Sequence, residues 1–139
     1  MSTPPLPTVR GLHQLAVARA NEYAAEHPVF AFGEVPPDES SRGVAYWIID
    51  PDPGFDQIAR ADGKVSSRRG RFFVRCCGSS LGQASFSLDH ARAAFLNWWP
   101  YEDPRFGMAR ETESDPLTID RTVPTDPRYV FGLTYEVDD

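Results

Sequence analysis

The segment YVFGLTYEV at residues 129–137 alternates between large apolar side chains on one side and mostly smaller or polar ones on the other. Successive side chains of a β-strand point to opposite faces of the sheet, so this period of two predicts a strand. Its apolar side consists of Tyr129, Phe131, Leu133, Tyr135 and Val137. One strand cannot remove such a surface from water, so the chain must supply further strands and a layer that covers them.

Other segments carry the signals of strands and turns. Four of them are apolar, β-branched or alternating in the manner of strands: residues 29–35, 44–49, 70–77 and 116–123. The last of these is joined to residues 129–137 by turn-forming residues 124–128, which predicts a hairpin. The intervening segments are predicted to be one or two helical turns at residues 55–61, a polar loop at residues 62–69 and an irregular connection at residues 101–115.

Two segments have the spacing of apolar residues that is typical of helices. Residues 9–26 carry one apolar stripe opposite a polar face. Residues 87–99 form a second predicted helix, with Ser87 as the N-cap and Pro100 as the residue that stops it. The apolar sides of both helices must be buried, and they can pack against the predicted sheet.

The predicted fold class is therefore α+β, with a mainly antiparallel sheet of about five strands and two main helices packed on one face. The Pro-rich residues 1–8 are predicted to form a flexible N-terminal tail, and residues 9–139 a single domain. A chain of 139 residues is long enough to bury a core without metals or disulfides.

Composition limits the functional classes. The net charge of −6 disfavours a general nucleic-acid-binding protein. The longest apolar run, residues 44–49, is far shorter than the ~20 residues of a membrane-spanning helix, and we expect no secretory signal at the N-terminus. The only two cysteines, Cys76 and Cys77, are adjacent and cannot staple distant segments, which fits a reducing compartment. We expect a cytoplasmic protein with no membrane contact and no cofactor.

The second predicted helix has a wider apolar surface than packing on a sheet requires. Residues such as Phe95 and Trp98 suffice to cover the sheet, and this leaves the neighbouring Trp99 over. Aromatic residues and Arg are enriched in protein interfaces, and several follow this helix. The residues predicted to bind a partner are Arg92, Trp99, Tyr101, Arg105 and Phe106.

These features favour a non-enzymatic protein-interaction domain. It would bind another protein or a second copy of itself, as an accessory or toxin-neutralising, immunity-like protein. Convergent catalytic residues are missing from the sequence, which also favours binding over catalysis.

A second interpretation is a sheet that binds single-stranded nucleic acid. Arg69, Arg71 and Arg75 fall on one side of the strand at residues 70–77, with Phe73 among them, and such a face can pair phosphates and stack a base. The segment resembles the octamer of the RNA recognition motif at residues 69, 70, 73 and 74. It departs from that octamer at residues 71, 72 and 76. The alternative interpretation of this face is a solvated outer surface paired with the excess acid.

A third interpretation is a small-molecule-binding or hydrolytic α+β domain. Its candidate site residues are Cys76, Cys77, Ser79, Ser80, His90 and Tyr135. Three carboxylates at alternate positions, Asp50, Asp52 and Asp56, have a pattern that suits a cation, although the same residues are common in an ordinary turn. We expect no metal site.

Overall fold

The computed structural model describes residues 8–23, 28–31, 44–52, 56–59, 65–101, 106–122, 124–125 and 127–138. Within these residues the chain forms two helices and six strands, α1–β1–β2–β3–β4–α2–β5–β6. Their bounds are α1 Val9–Tyr23, β1 Val29–Ala31, β2 Tyr46–Pro51, β3 Asp56–Ala59, β4 Val65–Gly78, α2 Leu81–Phe95, β5 Arg110–Asp120 and β6 Arg128–Asp138.

The six strands form one sheet. Its main path runs β1–β2–β4–β6–β5, and β3 pairs with the N-terminal part of β4. The β1–β2 pair is parallel, and the other described pairs are antiparallel. The predicted α+β class and mainly antiparallel sheet are confirmed.

Both helices lie on the side of the sheet that carries Phe72, Val74 and Leu133. These side chains are almost fully buried and pack with Trp47 and Phe95 in the main core. On the opposite side of the sheet Tyr46, Ile48 and Cys77 form a smaller buried cluster with Phe30 and Val130. The period of two predicted the face of each of these β4 and β6 residues, because alternate side chains of a strand must point in opposite directions.

The start of α2 differs from the prediction that placed the N-cap at Ser87. The N-cap is Ser80, whose hydroxyl accepts a hydrogen bond from the Gln83 N–H at 3.2 Å. The Gln83 side-chain oxygen in turn accepts from the Ser79 N–H at 2.8 Å, a reciprocal arrangement similar to a capping box. Gly78 permits this tight passage from β4 into α2, since a Cβ there would lie 2.5 Å from the Cβ of Gln83.

Ser87 instead joins α2 to the sheet. It is fully buried, and its hydroxyl donates to the Tyr46 carbonyl at 3.0 Å. The Trp47 indole N–H donates to the Ser87 carbonyl at 2.8 Å. Buried polar groups require partners, so these two bonds explain how a serine can occupy the middle of a helix that faces the core.

The end of α2 separates the two adjacent tryptophans. Asn97 adopts a left-handed backbone conformation, with φ at 56°, and asparagine tolerates this better than most residues. The reversal directs Trp98 into the core, where it is 9% exposed, and leaves Trp99 60% exposed. The predicted end of the helix at Trp99 is wrong, since α2 ends at Phe95, but the prediction that Trp98 completes the core and Trp99 is left over is confirmed.

Three other segments differ from their predictions. Residues 56–59 form β3 and not helical turns, β4 begins at Val65 inside the predicted polar loop, and β5 begins at Arg110 inside the predicted irregular connection. In each case the residues pair with the neighbouring strand along the chain, β3 with β4 and β5 with β6, and local composition does not encode that contact. The predicted tail at residues 1–8 lies outside the described residues except for Thr8, whose hydroxyl accepts from the Gly11 N–H.

The Ser80 cap leads to a prediction on stability. Ser80→Ala should lower the free energy of unfolding by about 1 kcal/mol, because the N–H of Gln83 loses its acceptor. Ser85→Ala, inside the same helix, is the matched control and should cause no loss, since alanine favours helix. Urea denaturation followed by circular dichroism measures both. Equal destabilisation by the two variants would contradict the capping role.

Candidate functional site

A groove runs between α2 and the edge strand β5, on the side of the sheet that carries the helices. It consists of two adjoining clefts of about 390 and about 320 Å³, and Arg92 lines both. The first cleft lies at the C-terminal end of α2 and is also lined by Phe95, Leu96, Asn97, Met108, Ala109, Arg110, Glu111 and Tyr135. The second lies further back along α2 and is also lined by Leu88, Ser114, Asp115, Pro116, Phe131 and Gly132.

An ion pair stands at the junction of the two clefts. Arg92 donates from Nε to Glu111 Oε1 at 2.9 Å and from Nη2 to Oε2 at 3.1 Å. The hydrogen bond to Glu111 raises the pKa of Arg92 above its ordinary value. The Glu111 carboxylate therefore accepts hydrogen bonds from both Nε and Nη2 of Arg92, in the bidentate geometry that such pairs prefer.

Leu96 and Met108, which line the first cleft, are exposed apolar residues, and Trp99 is a third close to them in the chain. Leu96 is 67% exposed, Trp99 60% and Met108 38%. The Trp98 carbonyl accepts from the Ala109 N–H at 2.8 Å, so the chain at Trp99 runs beside the chain at Met108. We call Leu96, Trp99 and Met108 the Trp99 surface.

The other residues predicted to bind a partner have different positions. Arg92 lines the groove, but it is paired with Glu111 as described. Tyr101 is half-buried, and its ring lies 5.2 Å from that of Phe106, which is only 3% exposed. Tyr101 therefore packs against the core, and the Phe106 side chain belongs to it. Arg105 lies outside the described residues.

Strand β5 forms an open edge of the sheet. All its residues are exposed except Leu117, which is half-buried. An exposed edge invites pairing with other chains, and β5 carries the usual obstacles to such pairing. These are Pro116, two irregularities in register against β6, and the four carboxylates Glu111, Glu113, Asp115 and Asp120.

The arginine face of β4 is paired with acid. Arg75 donates from Nε and Nη2 to the carboxylate of Asp50 at 2.7 and 3.1 Å, and Arg71 donates to Asp52 at 3.0 Å. Phe73 lies half-buried between them in the strand. The Arg69 side chain lies outside the described residues. These pairs match the interpretation of a solvated face, and they occupy the cations that phosphates would require.

The two thiols are poor candidates for nucleophiles. Cys76 lies in the main core and Cys77 in the cluster on the opposite side of the sheet. Burial raises the pKa of Cys77 to about 12 and raises the pKa of Cys76 well above its ordinary value. Since the thiolate is the reactive form, both groups are protonated and unreactive at neutral pH.

The remaining candidates for catalysis serve the fold or stand apart. Ser80 caps α2, and the Ser79 hydroxyl accepts from Arg128 at 3.0 Å. His90 lies on the exposed side of α2, ten residues after Ser80, which corresponds to ~15 Å along a helix. That separation is too large for a hydrogen bond between the serine and the imidazole. Tyr135 lies at the first cleft, and burial raises its pKa.

Two of the three carboxylates considered for a cation are engaged by arginine, since Asp50 pairs with Arg75 and Asp52 with Arg71, and the Asp56 side chain lies outside the described residues. The described part of the chain contains no group of three or more metal-ligating side chains. Neither described helix is long and apolar enough to cross a membrane. No family model matches this chain, and no curated protein shows significant similarity to it.

Sequence reasoning identified one side of the groove but not the other. Arg92 and the helix were singled out, whereas Met108, Glu111 and Asp115 fell in a segment predicted to be irregular. One signal was available: residues 110–120 contain four carboxylates and β-branched residues in a run without glycine, which is compatible with an exposed strand.

Proposed function

We propose that this protein is a non-enzymatic interaction domain, of the accessory or toxin-neutralising kind, that binds another protein through the Trp99 surface. The observation that carries this proposal is the exposed Trp99 on a fixed turn, directly after a tryptophan that is buried. Leu96 and Met108, which line the first cleft, are exposed as well, and exposed apolar side chains beside a cleft are typical of an interaction site.

Hydrogen bonds tie down the backbone next to the Trp99 surface. Arg19 of α1 donates to the Ala94 carbonyl in the last turn of α2 at 2.7 Å, and Ala109 bonds to Trp98 as described above. A preorganised surface loses little conformational entropy on binding, which favours affinity.

The exposed part of Trp99 is large enough to dominate an interface. If a partner buries about 100–150 Å² of its apolar surface, this contributes about 3 kcal/mol to the free energy of binding. Tryptophan is also the residue most enriched among those whose truncation strongly weakens protein complexes. The two flanking apolar residues, Leu96 and Met108, would exclude water around it.

Trp99→Ala should weaken partner binding about 100-fold, because the complex loses this buried anchor. The stability of the free protein should change little, since the side chain already faces water. The measurement is quantitative capture from a lysate of the source cells with immobilised wild type and variant, followed by titration of the captured protein.

Phe86→Ala is the matched control. Phe86 is also an exposed aromatic residue, at 53%, but it lies in the N-terminal half of α2, away from the Trp99 surface at the other end. Its substitution should leave the captured protein and its affinity unchanged. Capture that survives Trp99→Ala, or that is lost equally in both variants, would overturn the proposed function.

A further inference from the structure

The second cleft of the groove contains a carboxylate with a defined position. Asp115 lies opposite Gly132 in the β5–β6 register and lines the cleft. A Cβ at residue 132 would lie 2.7 Å from Asp115 Oδ2, so the absence of a side chain at Gly132 makes room for the carboxylate. The geometry points to a binding site for a Lys or Arg side chain, supplied by an extended segment of the partner protein. This inference rests on the proposed function and specifies the chemistry of the partner.

The charge available to a ligand in this cleft is negative. Arg92 also lines it, but Glu111 already occupies that guanidinium in a bidentate pair. Asp115 makes no ion pair or side-chain hydrogen bond with any residue that the structure describes. An incoming cation therefore meets a carboxylate that no described cation neutralises.

The walls of the cleft suit the stem of a long basic side chain. Leu88 of α2, Pro116 of β5 and Phe131 of β6 provide apolar contact beside the carboxylate. Lys and Arg pack their methylene stems on such surfaces while the charged head reaches a polar partner. The volume of about 320 Å³ exceeds that of one such side chain.

The first cleft indicates a second feature of the partner segment, an apolar residue at a fixed distance from the basic one. Leu88 in one cleft and Leu96 in the other are eight residues apart on α2, or ~12 Å. An extended chain covers that distance in about four residues. The segment would therefore carry a basic residue and, three or four positions away, a large apolar residue that contacts Leu96 and Met108.

Charge complementarity selects this partner over the alternatives. Strand β5 has four carboxylates and one arginine, and the whole chain has a net charge of −6. A second copy docked on the same strand would place like charges together, and nucleic acid or an anionic membrane would be repelled. A basic segment of another protein is attracted both by the net negative charge of the chain and by the carboxylates of β5.

The test is selection of random nine-residue peptides, displayed on phage, on the immobilised full-length protein. Selected peptides should contain Lys or Arg with a large apolar residue three or four positions away. Asp115→Asn, which keeps the shape of the side chain beside Gly132, should raise the Kd of a selected synthetic peptide at least tenfold in calorimetry. That effect should vanish for a peptide whose basic residue is replaced by methionine, because the two groups are coupled.

Glu113→Gln is the matched control, since it removes one charge from the same strand at a residue that does not line either cleft. It should change the Kd less than twofold. Peptides without a basic residue, equal weakening by Glu113→Gln and Asp115→Asn, or a selection that yields no binder would each overturn the cleft assignment. None of these results concerns the dependence of native capture on Trp99, so the two proposals fail separately.

Discussion

Phe72→Ala is expected to lower the free energy of unfolding by about 3–5 kcal/mol, which is a large part of the stability of a domain of this size. Phe72 is fully buried in β4, at the centre of an aromatic cluster. Its ring stacks on Tyr135 at 5.4 Å between centroids and meets Phe95 at 5.3 Å and Trp98 at 5.9 Å. The substitution removes all three contacts and leaves a cavity that surrounding strands and helices can only partly close.

Phe73→Ala supplies the control for this prediction. Phe73 is the next residue of the same strand, but it points to the opposite side of the sheet and is only half-buried. Its loss should cost about 1 kcal/mol, since less apolar surface is returned to water. Urea denaturation followed by tryptophan fluorescence measures both variants. Equal losses would show that the aromatic cluster around Phe72 contributes no more than an ordinary surface contact.

The difference in burial between Phe72 and Phe73 can be predicted from the sequence. In β4 and β6 the alternation of side chains is local, so the faces of these residues follow from the order of residues alone. Side-chain alternation therefore predicts the correct face where burial of one side of the strand produces the apolar pattern. The burial of Trp98 and the exposure of Trp99 were also predicted, but from a helix that runs through residue 99. In the structure α2 ends at Phe95, and the left-handed Asn97 separates the two side chains.

Predictions from local sequence were wrong where two similar local patterns exist and a contact with a distant residue decides between them. Ser80 and Ser87 are both plausible N-caps, and each is followed by an acidic or amide residue within the next turn. Ser87 is placed in the helix interior by its hydrogen bond to Tyr46, a residue 41 positions away. Pairing with the next strand along the chain likewise creates β3 from a segment predicted to be helical, and it extends β5 back to Arg110, ahead of the strand predicted at residues 116–123.

The candidate groove could be predicted only in part for the same reason. Its helical side follows from the apolar width of α2. Its other side depends on β5 lying at the edge of the sheet, where the Arg92–Glu111 pair joins residues 19 positions apart. An edge strand that is exposed on both faces has no apolar alternation, so the signal on which strand prediction depends is weakest at the place where the function is proposed.

The same burial that makes the thiols unreactive should make the fold sensitive to alkali. Burial raises the pKa of Tyr46 to about 12 and that of Cys77 to about 12, and it raises the pKa of Cys76 in the same direction. In the unfolded chain these groups ionise near their ordinary pKa values, about 8.5 for cysteine and about 10 for tyrosine. Between those values and pH 12 the unfolded state has lost protons that the folded state keeps.

These three groups should therefore add no pH dependence to the free energy of unfolding below about pH 8, and they should make it fall as the pH rises from 9 towards 12. Each group that is ionised only in the unfolded state contributes a slope of about 1.4 kcal/mol per pH unit. Urea denaturation at successive pH values measures the slope directly. Cys77→Ala should reduce the slope between pH 9 and 10 by about the contribution of one group, whatever its effect on stability at pH 7. Stability of the wild type that stays level from pH 8 to 11 would contradict the burial of these groups, and with it the close packing of β2 against β4.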